Sequence, residues 1–82
     1  MTTQYTHYLV IDLEATCDRS NFSRHEMEII EIGAVLVDSE DLTPIKEFQS
    51  FVRPVRHPIL TPFCTELTSI TQENVEAAPL FP

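Results

Sequence analysis

The segment Glu28-Ile29-Ile30-Glu31-Ile32-Gly33-Ala34-Val35-Leu36-Val37-Asp38 constrains this chain most. Along a β-strand, successive side chains turn to opposite faces. One face here carries Ile30, Ile32, Ala34 and Leu36. The other carries Ile29, Gly33, Val35 and Val37 around one odd residue, Glu31. A run that is apolar on both faces predicts a central strand, covered on both sides. Gly33 is the only glycine in the chain. Inside a strand, glycine weakens the backbone and marks close approach of another element. Glu31 is expected to be satisfied by a neighbouring hydrogen bond rather than by a metal.

A second apolar run, rich in β-branched residues, precedes it and ends in two acids: Tyr8-Leu9-Val10-Ile11-Asp12-Leu13-Glu14-Ala15-Thr16. It reads as a buried strand. Asp12 and Glu14 then point the same way. Their Cα atoms lie about 6–7 Å apart, two rises of roughly 3.3 Å each. That spacing suits carboxylates converging on one or two divalent cations. Left without a cation, buried carboxylates would repel each other and be costly to desolvate. The bland alternative is a solvated loop beginning at Glu14. The small residues Ala15 and Thr16 argue for the site, because a ligand can approach their backbone closely.

The remaining elements follow from punctuation. Cys17–Met27 is a polar connection, long for a hairpin loop, and it starts beside the acidic strand end. His25 within it reads as a solvated loop histidine. Residues 39–44 form a turn, with Asp41 and Pro44 as breakers. A third strand spans 45–53, and its polar Lys46, Glu47, Gln49 and Ser50 suit a sheet edge. Pro54 and Pro58 exclude a further central strand. Thr61-Pro62 reads as an N-cap with proline in the first helical position. Thr71 caps a second short helix, with Glu73 in its first turn. The predicted fold is α/β: a three-stranded antiparallel meander (7–14, 28–38, 45–53) with the second strand in the middle, then two short helices (62–67, 72–77).

Size and charge narrow the function. At 82 residues the chain holds one small domain at most. Cys17 and Cys64 have neither metal-ligand spacing nor a secretory context, so both read as free thiols. No segment approaches the roughly 20 apolar residues needed to span a membrane. Met1–Gln4 lacks the basic segment of a signal peptide, so the cytoplasm is the expected compartment. The net charge is −8, from 13 acidic and 5 basic residues. A protein that grips nucleic acid by neutralising phosphate should be basic. Such a partner would therefore have to be held through metal ions and a local patch. Arg53, Arg56 and His57 form the one local basic cluster, for which the bland reading is a solvated loop.

Three blocks stand in a known order. Val10-Ile11-Asp12-Leu13-Glu14-Ala15-Thr16-Cys17 resembles the first motif of the DEDDh 3′–5′ exonucleases. Glu28-Ile29-Ile30-Glu31-Ile32-Gly33-Ala34 resembles their second strand. Phe51-Val52-Arg53-Pro54, followed by Phe63-Cys64-Thr65-Glu66-Leu67-Thr68-Ser69-Ile70-Thr71, resembles the stretch after their third. The Glu-Ala-Thr-Cys ending and the Phe-Cys before Leu-Thr look most like the RNA-trimming branch, which includes the KinA-pathway-inhibitor-like bacterial proteins. The resemblance implies the N-terminal half of a ribonuclease H-like exonuclease domain over residues 1–82. It implies hydrolysis at a single-stranded nucleic-acid 3′ end, with RNA expected before DNA, and two Mg²⁺ or Mn²⁺ ions, one activating water and one stabilising the leaving oxygen. By matching positions, Asp12 would bridge both ions and Glu14 would hold one. Ala15, Thr16 and Cys17 would receive the terminal nucleotide through backbone contacts, and Leu67 and Thr68 would line its base and sugar.

Two departures stand out. Relatives often carry glycine where this chain has Ser69, and a serine is less comfortable at positive φ. The later family motifs, which supply two more carboxylates and a histidine base, have no counterpart here. His7, His25 and His57 do not occupy the matching position. The leading expectation is therefore a metal-dependent 3′–5′ exonuclease whose catalytic set this chain holds in part. The alternative is a non-catalytic nucleic-acid-binding or regulatory module built on the same half-fold.

Overall fold

The computed structural model describes residues 4–19 and 25–82. It has five elements in order: β1 (His7–Ala15), β2 (Ile29–Asp38), β3 (Pro44–Phe51), α1 (Pro62–Thr68) and α2 (Gln72–Glu76). The strands form an antiparallel sheet in the order β1-β2-β3, as the pattern predicts. Part of the connection read between Cys17 and Met27, residues 20–24, lies outside the described residues. Pro44 opens β3, where its missing N–H costs the sheet least. The β2–β3 turn is built by Asp38, whose Oδ1 accepts from the N–H groups of Glu40 (2.8 Å) and Asp41 (3.3 Å).

The register decides what shares a face. Asp12 lies opposite Gly33, and Gly33 opposite Gln49. Glu14 lies opposite Glu31, and Glu31 opposite Phe51. Asp12, Glu14, Glu31 and Gln49 are therefore on one face. Glu31 is satisfied as expected: its Oε2 accepts from Gln49 Nε2 at 2.9 Å.

Two expectations need correction. No layer covers β2 among the described residues: of its ten residues only Ile30 and Val37 are buried, the rest being half-exposed. The central strand is paired on both sides but bare above and below. Gly33 likewise marks no close approach of another element. A Cβ there would meet only the Asp12 carbonyl oxygen at 3.7 Å, an ordinary contact. The reason is common to both. The helices pack beyond the ends of the strands, not on a sheet face, and the core of Ile30, Leu60, Cys64, Ile70 and Val75 lies there with Cys17 and Phe51 against it.

The molecule is accordingly stretched. Its radius of gyration is 15.9 Å, where a compact chain of this length measures roughly 12 Å. Its accessible surface is 6398 Å², against about 5,000 Å² for a folded protein of this mass. The reading of β1 as a buried strand is corrected too: with no layer on either face among the described residues, Leu9, Ile11 and Leu13 are 49–59% exposed on one face and Tyr8 and Val10 46–55% on the other. β1 is also an open edge, so its outward N–H and C=O groups have no strand partner among the described residues.

The helices are stopped and started by their caps. Thr61 Oγ1 accepts from Cys64 N at 3.0 Å, with Pro62 opening α1. Thr71 and Asn74 form a reciprocal capping box on α2. Ser69 ends α1 in the left-handed region, at φ 65° and ψ 11°. Between β3 and α1, the Glu28 carboxylate accepts from three consecutive backbone N–H groups: Val55 at 2.9 Å, Arg56 at 2.7 Å and His57 at 2.9 Å. Burial raises the Glu28 carboxyl. The donors of Val55, His57 and Arg56 outweigh it and hold the group below its ordinary 4.5.

Three outcomes are expected. Amide exchange should be slowest over residues 30–35, which bond on both sides, and faster over 48–51 at the edge; the reverse order would mean a different strand arrangement. Ser69→Gly should raise the denaturation free energy by about 1 kcal/mol, because glycine adopts the left-handed cap without the side-chain penalty. The lowered Glu28 value adds stability above pH 4.5 that is lost as pH falls through the folded-state value. Glu28→Gln should therefore flatten the fall of the denaturant midpoint below that pH, and an unchanged acid limb would show that the carboxylate does not hold the turn.

Candidate active site

Asp12 and Glu14 project from the last residues of β1 on one face, as their spacing predicts. Asp12 is exposed and Glu14 half-buried. An open groove of about 430 Å³ runs past Asp12 over Gly33, bounded by Val10, Val35, Glu47 and Gln49. The absent side chain at Gly33 is what leaves that trough beside the carboxylate.

Beyond Glu14 the register shifts by one residue, and the chain leaves the regular ladder at Ala15. The loop after β1 is anchored from two sides. Thr16 N donates to Glu28 O at 2.9 Å, and Glu28 N donates to Thr16 Oγ1 at 3.0 Å. This reciprocal pair explains why Thr16, 2% exposed, is the one buried polar residue among those described. On the other side, Thr61 Oγ1 donates to Cys17 O at 2.6 Å while accepting its helix N–H. One hydroxyl thus caps α1 and ties it to the loop after β1. Cys64 Sγ reaches Ala15 O at 3.8 Å, a weak contact of the same sense.

These ties bring α1 to the carboxylate end of β1. Thr68 lies one helical turn after Cys64, its Oγ1 donating to Cys64 O at 2.8 Å and accepting from Ile70 N at 3.2 Å. Its hydroxyl is thus engaged within the helix. Leu67 is 66% exposed and presents its side chain outward. Ala15, Thr16, Cys17, Leu67 and Thr68 are therefore gathered at one end of the sheet with Asp12 and Glu14. Of the backbone in 15–17, Thr16 N–H and Cys17 C=O already have partners.

Cys17 and Cys64 stand side by side as free thiols. Burial first, then the hydrogen bond and charge of Cys64, push the Cys17 thiol up to about 11. The Cys17 sulfur is thus a protonated packing group near neutral pH, poor as a nucleophile.

Sequence reading missed two features. Glu28 passes for the first residue of a strand, yet its carboxylate organises the Val55–His57 turn. The only hint is that Pro54 and Pro58 bracket a short segment whose N–H groups need acceptors. Arg19 stacks on Phe63, its guanidinium carbon 4.8 Å from the ring centroid, and nothing in the local pattern signals that pair.

The donor chemistry fits a hard divalent cation in part. Asp12 and Glu14 offer carboxylate oxygens from one face, the donors that Mg²⁺ and Mn²⁺ prefer. Among the described residues, no three His, Cys, Asp or Glu side chains converge as a metal-holding group. His7 begins β1, five residues before Asp12, and bonds Thr6 Oγ1 at 2.8 Å. His25 and His57 lie at the Glu28-bound turn.

Comparison with known proteins agrees with this arrangement. The family model described as Exonuclease (RNase_T) matches residues 9–82. ERI1 exoribonuclease 3 of Homo sapiens is 43% identical over 76 residues, covering 93% of this chain and 22% of that protein. The nuclease domain of 3′hExo, described as a DEDDh family member bound to rAMP, superposes with a TM-score of 0.89 at 39% identity, covering all of this chain and 41% of that one. The 3′-exonuclease solved for 3′-end recognition of histone mRNA stem-loop gives 0.88 at 41% identity, over 95% of this chain and 27% of that one. The chain thus spans about a fifth of the curated relative and two fifths of the nuclease domain. With the family match over most of its length and this architecture, the chain belongs to the DEDDh 3′–5′ exonuclease family and folds as the opening part of a ribonuclease H-like domain.

Proposed function

We propose that the protein to which this chain belongs hydrolyses phosphodiester bonds at the 3′ end of single-stranded RNA, with Asp12 and Glu14 as its first metal-holding carboxylates. One observation carries the reading: two acids on one face end β1 beside a loop that Glu28 and Thr61 fix against α1. The relatives named as exoribonucleases and the histone mRNA complex support RNA as the substrate. Two Mg²⁺ or Mn²⁺ ions, when bound, supply an activated water and stabilise the departing 3′ oxygen. The chain's own residues hold and orient. Asp12, which lines the open groove, would hold both ions and Glu14 would hold one. Leu67 offers an exposed apolar side chain to the terminal base. The loop 15–17 sets the approach of the terminal sugar, its path fixed by the Thr16–Glu28 pair.

Residues 1–82 form part of a single exonuclease domain in this reading, and the open β1 edge takes its partner from the remainder. Two thiols left unpaired support a reducing compartment, the cytoplasm. The second reading, a non-catalytic RNA-binding module, is favoured by one observation: no third carboxylate joins Asp12 and Glu14 among the described residues. A proton acceptor for water is needed as well.

Two measurements separate these readings. In the complete protein, Asp12→Ala should abolish release of 3′ nucleotides while circular dichroism stays unchanged; activity within about tenfold of the parent would defeat the assignment. Residues 1–82 alone should release nothing with added Mn²⁺, and turnover by that piece would mean the site is complete without further ligands.

A further inference from the structure

A second groove, of about 530 Å³, is lined by Glu28 and shares no lining residue with the groove beside Asp12. Arg53 and Arg56 stand on its rim. Met27, Ile29 and Val52 line its floor, and Leu80 and Phe81 form its other wall. The wall is pinned: Arg53 N donates to Pro79 O at 2.9 Å. The rim is pinned by Glu28, whose carboxylate fixes three consecutive N–H groups of the turn. The Arg56 guanidinium donates to the carbonyl of His25, a neutral acceptor.

Three features make this a binding site rather than a solvated loop. The first is charge. In a chain of net charge −8 with five basic residues, two arginines face one groove. Glu28 is the one carboxylate among the groove's lining residues, and it is already engaged by backbone donors. The second is the wall. Leu80 and Phe81 lie beside those cations, the pairing of aromatic surface and positive charge that holds unpaired bases and their phosphates. The third is position. The backbone of Glu28 is bonded both ways to Thr16, in the loop that follows the two carboxylates. A single residue therefore separates this groove from the loop assigned to the 3′ end.

We infer that this groove binds the nucleotides upstream of the 3′ end of a single-stranded RNA, with Arg53 and Arg56 on backbone phosphates and Phe81 against a base. The inference rests on the exonuclease reading for the direction of the strand. Glu28 is a positioning residue in it, carrying the arginine-bearing turn on its side chain and the loop after β1 on its backbone. This gives an acidic protein its local grip on a polyanion. Elsewhere its surface repels phosphate, so the strand is steered to this rim.

The test is fluorescence anisotropy of a labelled 12-nucleotide single-stranded RNA with the chain in EDTA, between about 50 and 200 mM salt. With metal removed, Asp12 and Glu14 contribute nothing favourable, so binding is read separately from catalysis. Arg53→Gln with Arg56→Gln should weaken binding at least tenfold at the lowest salt and flatten the log–log salt slope by about 1.4, two phosphates at roughly 0.7 each. Arg53→Gln alone, at an exposed side chain whose backbone bond to Pro79 is kept, should flatten it by about 0.7. Phe81→Leu should weaken binding about fivefold and leave the slope unchanged. Asp12→Ala should not weaken it. Parent-like affinity and slope in the double arginine variant would overturn the inference. So would inorganic polyphosphate binding as tightly as the RNA and indifferent to Phe81→Leu. Loss of nucleotide release by Asp12→Ala in the complete protein with added Mn²⁺, with this binding unchanged in EDTA, would uphold both readings. Intact catalysis there with the groove still binding would remove only the metal assignment.

Discussion

The reciprocal hydrogen bonds between Thr16 and Glu28 are the constraint on which the rest depends. β1 leaves its ladder at Ala15, and from there the backbone has lost its regular partners. Thr16 closes the gap with one amide and one hydroxyl, both directed at Glu28. Glu28 in turn commits its carboxylate to three amides of the turn after β3. Three segments distant in sequence are thus fastened at one residue, by hydrogen bonds rather than by apolar burial. Removing one partner would leave donors in a partly buried place with no acceptor, which costs more than a net hydrogen bond contributes. Thr61 repeats the device on the other side of the loop, joining a helix cap to Cys17 O. The carboxylates of β1 inherit their direction from these ties.

The sheet has the opposite character. Its hydrogen bonds are complete within the three strands, but its faces are not covered. Ile30 is buried because the helices reach it at the end of β2. Residues two and four places on, Ile32 and Ala34, share its face and stay half-exposed. The core is therefore an end-cap and not a layer. Groove and carboxylates sit where the packed end gives way to the bare sheet, close enough to the core to be positioned and still open to solvent.

Much of this is legible in the residues. Period-two alternation locates all three strands, and the two apolar faces of the second put it in the middle. Capping chemistry at Thr61-Pro62 and Thr71 places both helices to within a residue or so. The i, i+2 acids give one face without any coordinates, and the family motifs supply what the spacing does not. The expected coverage of β2 fails for a physical reason. Two apolar faces record what a strand is suited to contact, and the contacting layers need not belong to the same stretch of chain. Glu28 is illegible because its role depends on N–H groups about 28 residues away. Gly33 suggests crowding where the structure shows room, since among the described residues a Cβ there would meet only the Asp12 carbonyl oxygen.

The meander has a consequence for the order of events in folding. Its pairings join neighbours in sequence, and local contacts of this kind close quickly. The β1 edge, with Leu9, Ile11 and Leu13 on one side of it, is then presented before anything distant in sequence can arrive. For that interval the strand is a template for whatever extended segment comes first. Correct assembly of the complete domain becomes a race between a slow intramolecular strand and any faster stranger, and at high protein concentration the stranger gains.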